Sequence, residues 1–301
     1  MGIRYWWTIT RDAAAHWFEC NAFNQAGALA FYTLFSMAPV VIIAVTVIGL
    51  VLGEQAAQGQ IVAQLQGLMG REAAGAVEQA VVRSRVQVSG WLPTLFGVGA
   101  LVVGATTVFG QMQYALNTLW GVAARPDRNS LFTLLKNRLL SLTVVLAIGF
   151  VLLVSLLLGV ALQAVLKFTH HFAPSIAALL SGGEALVSLL AVVLLFGAIF
   201  KVLPDVVLRW RDVLVGAAVT ALLFSVGRHA IAAYLAYTAT ASTYGAAGSV
   251  VLILLWVYYS SLILLFGAAF TRAHLLARGG QVVPRNSAVR IRHVILDETP
   301  G

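Results

Sequence analysis

Charged side chains are scarce in this sequence. Asp, Glu, Lys and Arg together make up 10% of its 301 residues, whereas hydrophobic residues make up 60%. A soluble domain of ordinary composition carries about 25% charged residues. A surface so poor in charge cannot all face water, and a lipid bilayer is the simplest other medium. The composition therefore predicts a membrane protein.

Acidic residues and cysteine are also few. The 11 Asp and Glu residues are scattered along the chain, whereas a nuclease needs clustered carboxylates to hold divalent metal. The single cysteine, Cys20, cannot form an internal disulfide. The sequence also lacks HExxH, GxSxG, CxxC and Walker motifs. It therefore predicts no catalytic residue, no metal, no cofactor and no enzyme.

Long uncharged runs are what the sequence has instead. A membrane-spanning helix needs about 20 apolar residues. Six runs meet this length, at 27–53, 92–119, 139–166, 185–203, 213–234 and 248–271. Lys201 and Arg228 are the charged residues within these six runs. Stretches such as 144–160 are apolar on every side, and none of the runs alternates as barrel strands do. We expect an all-α, polytopic bundle of six membrane spans.

The cations are distributed unevenly around these runs. Of the 19 Lys and Arg residues, 14 lie in the first segment, the second-to-third connection, the fourth-to-fifth connection and the tail. Cytoplasmic loops are enriched in Lys and Arg, so this side is predicted to be cytoplasmic, with both termini inside. Short basic clusters between apolar runs do not form the basic face of a nucleic-acid-binding module. No nucleic-acid partner is therefore expected.

Three segments flank or interrupt the membrane domain, which is placed at 23–275. Residues 1–22 are aromatic and amphipathic, which indicates an interfacial helix on the inner leaflet. Residues 54–91 have helical periodicity and are predicted to form a long outer loop. Residues 276–301 are polar and are predicted to be a flexible cytoplasmic tail.

Arg228 and His229 lie inside the fifth run. An arginine near the bilayer centre costs about 2.5–3.5 kcal/mol on insertion scales. Arg228 lies fifteen residues into the run, or roughly 22 Å along a helix at about 1.5 Å per residue, which is past the midplane. Two interpretations stay open: a residue that faces inward to meet an anionic substrate or headgroup, or an anchor that snorkels to the outer interface.

Polar residues also occur in the first two runs. Asn24 lies at the entrance of the first, and Gln113 and Asn117 share a helix face in the second. Interhelical hydrogen bonding is the favoured interpretation, and substrate contact is the alternative. The candidate substrate-binding or lipid-binding residues are Asn24, Gln113, Asn117, Arg228, His229 and Tyr244.

Several short motifs are similar in order and spacing to those of the YihY/virulence factor BrkB family. They are 28–39 (ALAFYTLFSMAP), 104–109 (GATTVF), 115–120 (ALNTLW), 201–205 (KVLPD), 210–213 (WRDV) with 216–217 (GA), 244–249 (YGAAGS), 255–261 (LWVYYSS) and 265–271 (LFGAAFT). The structural motif residues identified by this resemblance are Pro39, Pro204, Asp205, Gly245, Gly248, Ser249, Tyr258 and Tyr259.

The resemblance implies a multi-pass protein of the bacterial inner membrane. The family is linked to envelope integrity and virulence, and its former ribonuclease BN label is regarded as a misassignment. Its sixth span commonly reads Gly-Ala-Glu-Phe, whereas this chain has Ala269 at the acidic position. Any role of that carboxylate is therefore absent here or is carried out elsewhere.

Two functions are consistent with these features. The leading one is movement or export of an amphipathic, anionic molecule such as a lipid, because polar residues lie within spans and the inner face is basic. The alternative is a scaffold, without transport activity, that binds an envelope partner through residues 54–91. A homo-oligomer is possible under either function.

Overall fold

The computed structural model describes residues 2–36, 59, 66, 74–75, 78, 91–125, 174–238 and 248–291. The long described ranges contain six helices: α1 (Ile3–Glu19), α2 (22–36), α3 (Trp91–Trp120), α4 (Pro174–Val202), α5 (Trp210–Thr238) and α6 (Gly248–Ala277). Two short strands, β1 (Val122–Ala124) and β2 (Ala288–Arg290), pair antiparallel. The predicted all-α class is therefore confirmed for the large majority of these residues.

Helices α3 to α6 cover four of the six predicted apolar runs. Within the described residues, two segments are long and apolar enough to cross a membrane: Trp210–Ile231, with a mean hydropathy of 1.6, and Val250–Ala277, with 2.3. Leu189–Val202 is a shorter apolar helix segment. Most of the first run, the whole third run and nearly all of the predicted outer loop lie outside the described residues.

Helices α5 and α6 interlock through two matched pairs of glycine and threonine. The Thr220 hydroxyl donates to the Gly216 carbonyl at 2.6 Å, and the Thr271 hydroxyl donates to the Gly267 carbonyl at 2.7 Å. Each threonine is fully buried and occupies the space beside the glycine of the opposite helix. Only a residue without a Cβ allows this approach, so the two glycines set the distance between the helices.

Helix α1 packs along α6 instead of standing apart from the bundle. The Trp6 ring stacks on Phe270 and His274, with ring centroids 6.3 Å and 5.8 Å away. Ile9 and Ala13 are buried on the same side, whereas Trp7 is 70% exposed on the other. One face of α1 therefore belongs to the protein core, and the other presents aromatic side chains to the surroundings.

Residues 281–291, which belong to the segment predicted to be a flexible tail, make backbone contacts with the rest of the protein. Strand β2 pairs with β1, Val206 forms a bridge with Pro284, and the Ile291 amide donates to the Gly121 carbonyl at 2.9 Å. Val282 and Ala288 are buried, so a few inward side chains are enough to hold this segment. We call residues 281–291 the C-terminal strap. The rest of the predicted tail, 292–301, lies outside the described residues.

Candidate functional site

Asp205 is the centre of a hydrogen-bond network that joins three parts of the chain. Its Oδ2 accepts from Asn117 Nδ2 at 2.8 Å and from Gln113 Nε2 at 3.1 Å, both on α3. Its backbone N–H donates to Asn117 Oδ1 at 2.8 Å. Asn117 is therefore bonded to Asp205 through both the NH₂ and the carbonyl oxygen of its side-chain amide, which holds α3 against the α4–α5 connection in a fixed register.

The C-terminal strap closes the other side of Asp205. The Arg285 N–H donates to the Asp205 carbonyl at 2.9 Å, and the Ser287 hydroxyl lies 3.4 Å from Asp205 Oδ1. The Arg285 guanidinium donates to the carbonyls of Lys201, at 3.0 Å, and Val202, at 3.3 Å. These are the terminal carbonyls of α4, where a cation is favoured by the helix dipole. We call Gln113, Asn117, Asp205, Arg285 and Ser287 the Asp205 hub.

The Asp205 hub brings together residues for which the sequence indicated separate roles. Gln113 and Asn117 were candidates for substrate contact or interhelical bonding, whereas Asp205 was identified only as part of a family motif. In the structure both amides bind Asp205 directly. The signal available in the sequence was the carboxylate of Asp205 directly after Pro204, a residue type that ends helices. In the structure Pro204 is fully buried.

Asn24 does not join the Asp205 hub. It lies in the first turn of α2 with its side chain exposed. Its neighbour Gln25 faces the bundle instead and accepts a hydrogen bond from Gln111 Nε2 at 3.0 Å. Side-chain amides of α3 thus bind two separate elements, α2 through Gln111 and the α4–α5 connection through Gln113 and Asn117.

Arg228 and His229 lie far along α5 from the Asp205 hub. Arg228 is half-buried and has an interaction partner. His229 is exposed, and its Nδ1 lies 2.7 Å from the Ser225 carbonyl of its own helix. The histidine is therefore occupied locally, and both interpretations of Arg228 stay predictions.

The remaining motif residues have mainly packing roles where the structure describes them. Tyr259 fills the space beside Gly227, where an added Cβ would lie 2.5 Å from the tyrosine Cε1. Tyr258 is half-buried against the core. Gly248 and Ser249 form the first turn of α6. Pro39, Tyr244 and Gly245 lie outside the described residues.

Ala269 occupies the position at which the resemblance leads us to expect a glutamate. It is 1% exposed and belongs to the main hydrophobic cluster. A carboxylate here would be buried and would need a partner. Alanine removes that requirement in this chain.

Cys20 and His16 link the end of α1 to the end of α3. His16 Nε2 lies 2.8 Å from the Leu119 carbonyl and 3.5 Å from Cys20 Sγ. Burial raises the pKa of the Cys20 thiol, and the nearby Arg272 cation offsets this only in part. No group of three His, Cys, Asp or Glu residues suited to a metal ion occurs among the described residues.

The raised pKa of Cys20 gives a labelling prediction. A smaller thiolate fraction and partial burial both slow alkylation. We expect N-ethylmaleimide to react several-fold more slowly with the native protein than with the detergent-unfolded chain, at any pH between about 7 and 9. Because Cys20 is the single cysteine, the label reports this thiol alone, and Cys20→Ser provides the blank. Equal rates before and after unfolding would show that α1 does not protect it.

The chain is similar to known membrane proteins over most of its length. The family model described as Virulence factor BrkB matches residues 14–292. A UPF0761 membrane protein of Tolumonas auensis is 31% identical over 59% of this chain and 56% of its own length. One of Azotobacter vinelandii is 29% identical over 81% of this chain and 58% of its own. One of Alteromonas mediterranea is 26% identical over 84% of this chain and 83% of its own length.

The chain thus spans a little over half the length of the first two relatives and most of the third. No solved structure matches it significantly. The family match runs from the last third of α1 to β2 and includes the Asp205 hub and the α5–α6 interlock, and the relatives are named as membrane proteins. The apolar helices and the family match agree, and the chain belongs to the Virulence factor BrkB family of integral membrane proteins.

Proposed function

We propose that this protein crosses the bacterial inner membrane six times, with both termini in the cytoplasm, and moves an amphipathic, anionic molecule such as a lipid. The proposal assigns it no catalytic residue and no nucleic-acid partner. The observation that carries it is the Asp205 hub, an ionisable residue held by amides at the end of apolar helices. Ionisable residues within membrane spans are costly and mark substrate or ion pathways, and Asp205 lies just past the end of such an apolar helix.

The chemistry of the Asp205 hub suits a contact that opens and closes. Gln111, Gln113 and Asn117 bind partners on other elements through hydrogen bonds of their side-chain amides. An amide can exchange such a partner for water or for the phosphate of a headgroup, because both offer the same kind of hydrogen bond. A packed apolar contact offers no such exchange. The end of α3 can therefore release the α4–α5 connection without leaving a polar group unpaired.

Lipid movement can be measured in proteoliposomes that contain headgroup-labelled phosphatidylglycerol. We expect the native protein to make inner-leaflet label accessible to an external quencher faster than empty liposomes do. Gln113→Ala should raise that rate several-fold, because it removes one hydrogen bond that holds the Asp205 hub closed.

Thr118→Ala is the matched control. The Thr118 hydroxyl donates to the Tyr114 carbonyl of its own helix at 2.9 Å. It should leave the rate unchanged. If correctly folded protein moves no label, transport is refuted. Capture of an envelope partner through residues 54–91 under those conditions would favour the scaffold function.

A further inference from the structure

Exposed cations and exposed apolar side chains alternate where α4 ends and α5 begins. Val207 is 59% exposed, Val283 is 50% exposed and Trp210 is 44% exposed. Arg209 and Arg211 flank the tryptophan and are also exposed. We define the basic–apolar patch as Lys201, Val207, Arg209, Trp210, Arg211 and Val283.

Direct contacts join four members of this patch in two pairs. Lys201 Nζ lies 4.7 Å from the centre of the Trp210 ring, a cation–π contact. The Val207 amide donates to the Val283 carbonyl at 2.8 Å, which joins the α4–α5 connection to the C-terminal strap. The patch therefore has a fixed backbone, and its side chains extend outward from it.

The carboxylates nearest the patch are already engaged. Asp212 Oδ2 accepts from the Arg209 backbone N–H at 2.9 Å, as in the second half of a capping box. Asp205 is occupied by the amides of α3. In the described part of the chain, no ion pair involves Lys201, Arg209 or Arg211. The patch therefore keeps an excess of positive charge.

The basic–apolar patch lies at the ends of two apolar helix segments. The candidate span Trp210–Ile231 begins at the patch tryptophan, and the apolar segment Leu189–Val202 ends beside it. Tryptophan is enriched where membrane helices meet the headgroups, and exposed valines are stable there because they reach the acyl boundary. Cations at this depth lie level with lipid phosphates.

We propose that the basic–apolar patch binds the headgroup of an anionic phospholipid in the leaflet that borders this end of the bundle. The cations contact the phosphate, while Trp210 and the two valines contact the upper part of the acyl chains. This binding site requires only that the chain is embedded in a membrane, and it does not depend on lipid movement.

The test uses the full chain in detergent micelles, titrated with phosphatidylglycerol or phosphatidylcholine. Native mass spectrometry resolves each lipid-bound state, which gives the dissociation constant of the first lipid. The native protein should prefer phosphatidylglycerol. The double substitution Arg209→Gln/Arg211→Gln should weaken the first phosphatidylglycerol at least about fivefold, since one cation near an anionic surface contributes about that factor, and should leave phosphatidylcholine unchanged.

Two controls separate this site from general charge. Arg209→Lys/Arg211→Lys keeps the charge and should keep the preference. Arg4→Gln/Arg11→Gln removes the same charge from α1, where both arginines are exposed, and should leave the first lipid unaffected. The proposal is overturned if the α1 pair weakens binding equally, or if the patch pair has no effect. Tight patch-dependent binding of an oligonucleotide or polyglutamate, without lipid preference, would overturn it too.

Discussion

Replacing Gly216 or Gly267 by alanine is expected to lower the free energy of unfolding by about 2 kcal/mol or more, the range of an overpacked core. A Cβ at Gly216 would lie 2.9 Å from the Cβ of Thr271 and 3.1 Å from its Cα. A Cβ at Gly267 would lie 2.9 Å from the Cβ of Thr220 and 3.0 Å from Phe200 Cζ. The opposing atoms include backbone and buried β-branched side chains, so they cannot rotate away, and α5 and α6 must separate. Equilibrium unfolding in mixed micelles with increasing sodium dodecyl sulfate measures the loss.

Gly110 offers a matched control within α3. It is exposed, and nothing lies within 4 Å of the position its Cβ would take. Gly110→Ala should therefore be neutral or stabilising by up to about 1 kcal/mol, through helix propensity alone. The double substitution Gly216→Ala/Thr271→Gly exchanges the small and large partners and should recover part of the loss. If Gly216→Ala and Gly110→Ala have the same effect, the interlock does not determine how α5 and α6 pack.

The membrane helices were predictable because their signal is composition over about 20 residues. Four apolar runs coincide with α3 to α6, with ends that differ by at most six residues except at the start of α4, which lies eleven residues before its run. The interlock was harder to see. In the sequence, Gly216 and Thr271 stand out only as members of family motifs. The pairs Gly216–Thr220 and Gly267–Thr271 nevertheless share one four-residue spacing. That spacing places both residues on one helix face, but it does not identify the facing helix.

The Asp205 hub depended on information that a linear reading does not contain. Gln113 and Asn117 could be assigned to one face of α3, and interhelical bonding was the favoured interpretation. Their partner is more than 80 residues away in the chain, at separations of 92 and 88. The C-terminal strap was missed for a related reason. Its strand β2 is three residues long and has one buried side chain. Such a short alternation of buried and exposed residues is not recognisable in a segment whose overall composition is polar.

The second large effect is expected at Asp205 itself. Asp205→Ala should lower the free energy of unfolding by about 2–4 kcal/mol, because hydrogen bonds to a charged group contribute about 1.5–3 kcal/mol each and Asp205 is only half-buried. The amides of Gln113 and Asn117 would lose their shared acceptor, and Asn117 is 6% exposed. Unfolding in mixed micelles measures the total loss. Amide hydrogen exchange over residues 281–291 measures how far the C-terminal strap is released.

Asp205→Asn separates charge from hydrogen bonding at this position. Its carbonyl oxygen can accept from both α3 amides while its NH₂ faces the Ser287 hydroxyl, so most of the stability should return and the strap should exchange slowly. Asp12→Asn is the matched control. Asp12 lies 3.2 Å from Arg11 at the exposed surface of α1, with side chains 54% and 70% exposed, and such pairs contribute little. If Asp205→Ala resembles Asp12→Asn, the amides find other acceptors. The closed contact between α3 and the α4–α5 connection would then depend on apolar packing, and the exchange of hydrogen bonds proposed for transport would lose its basis.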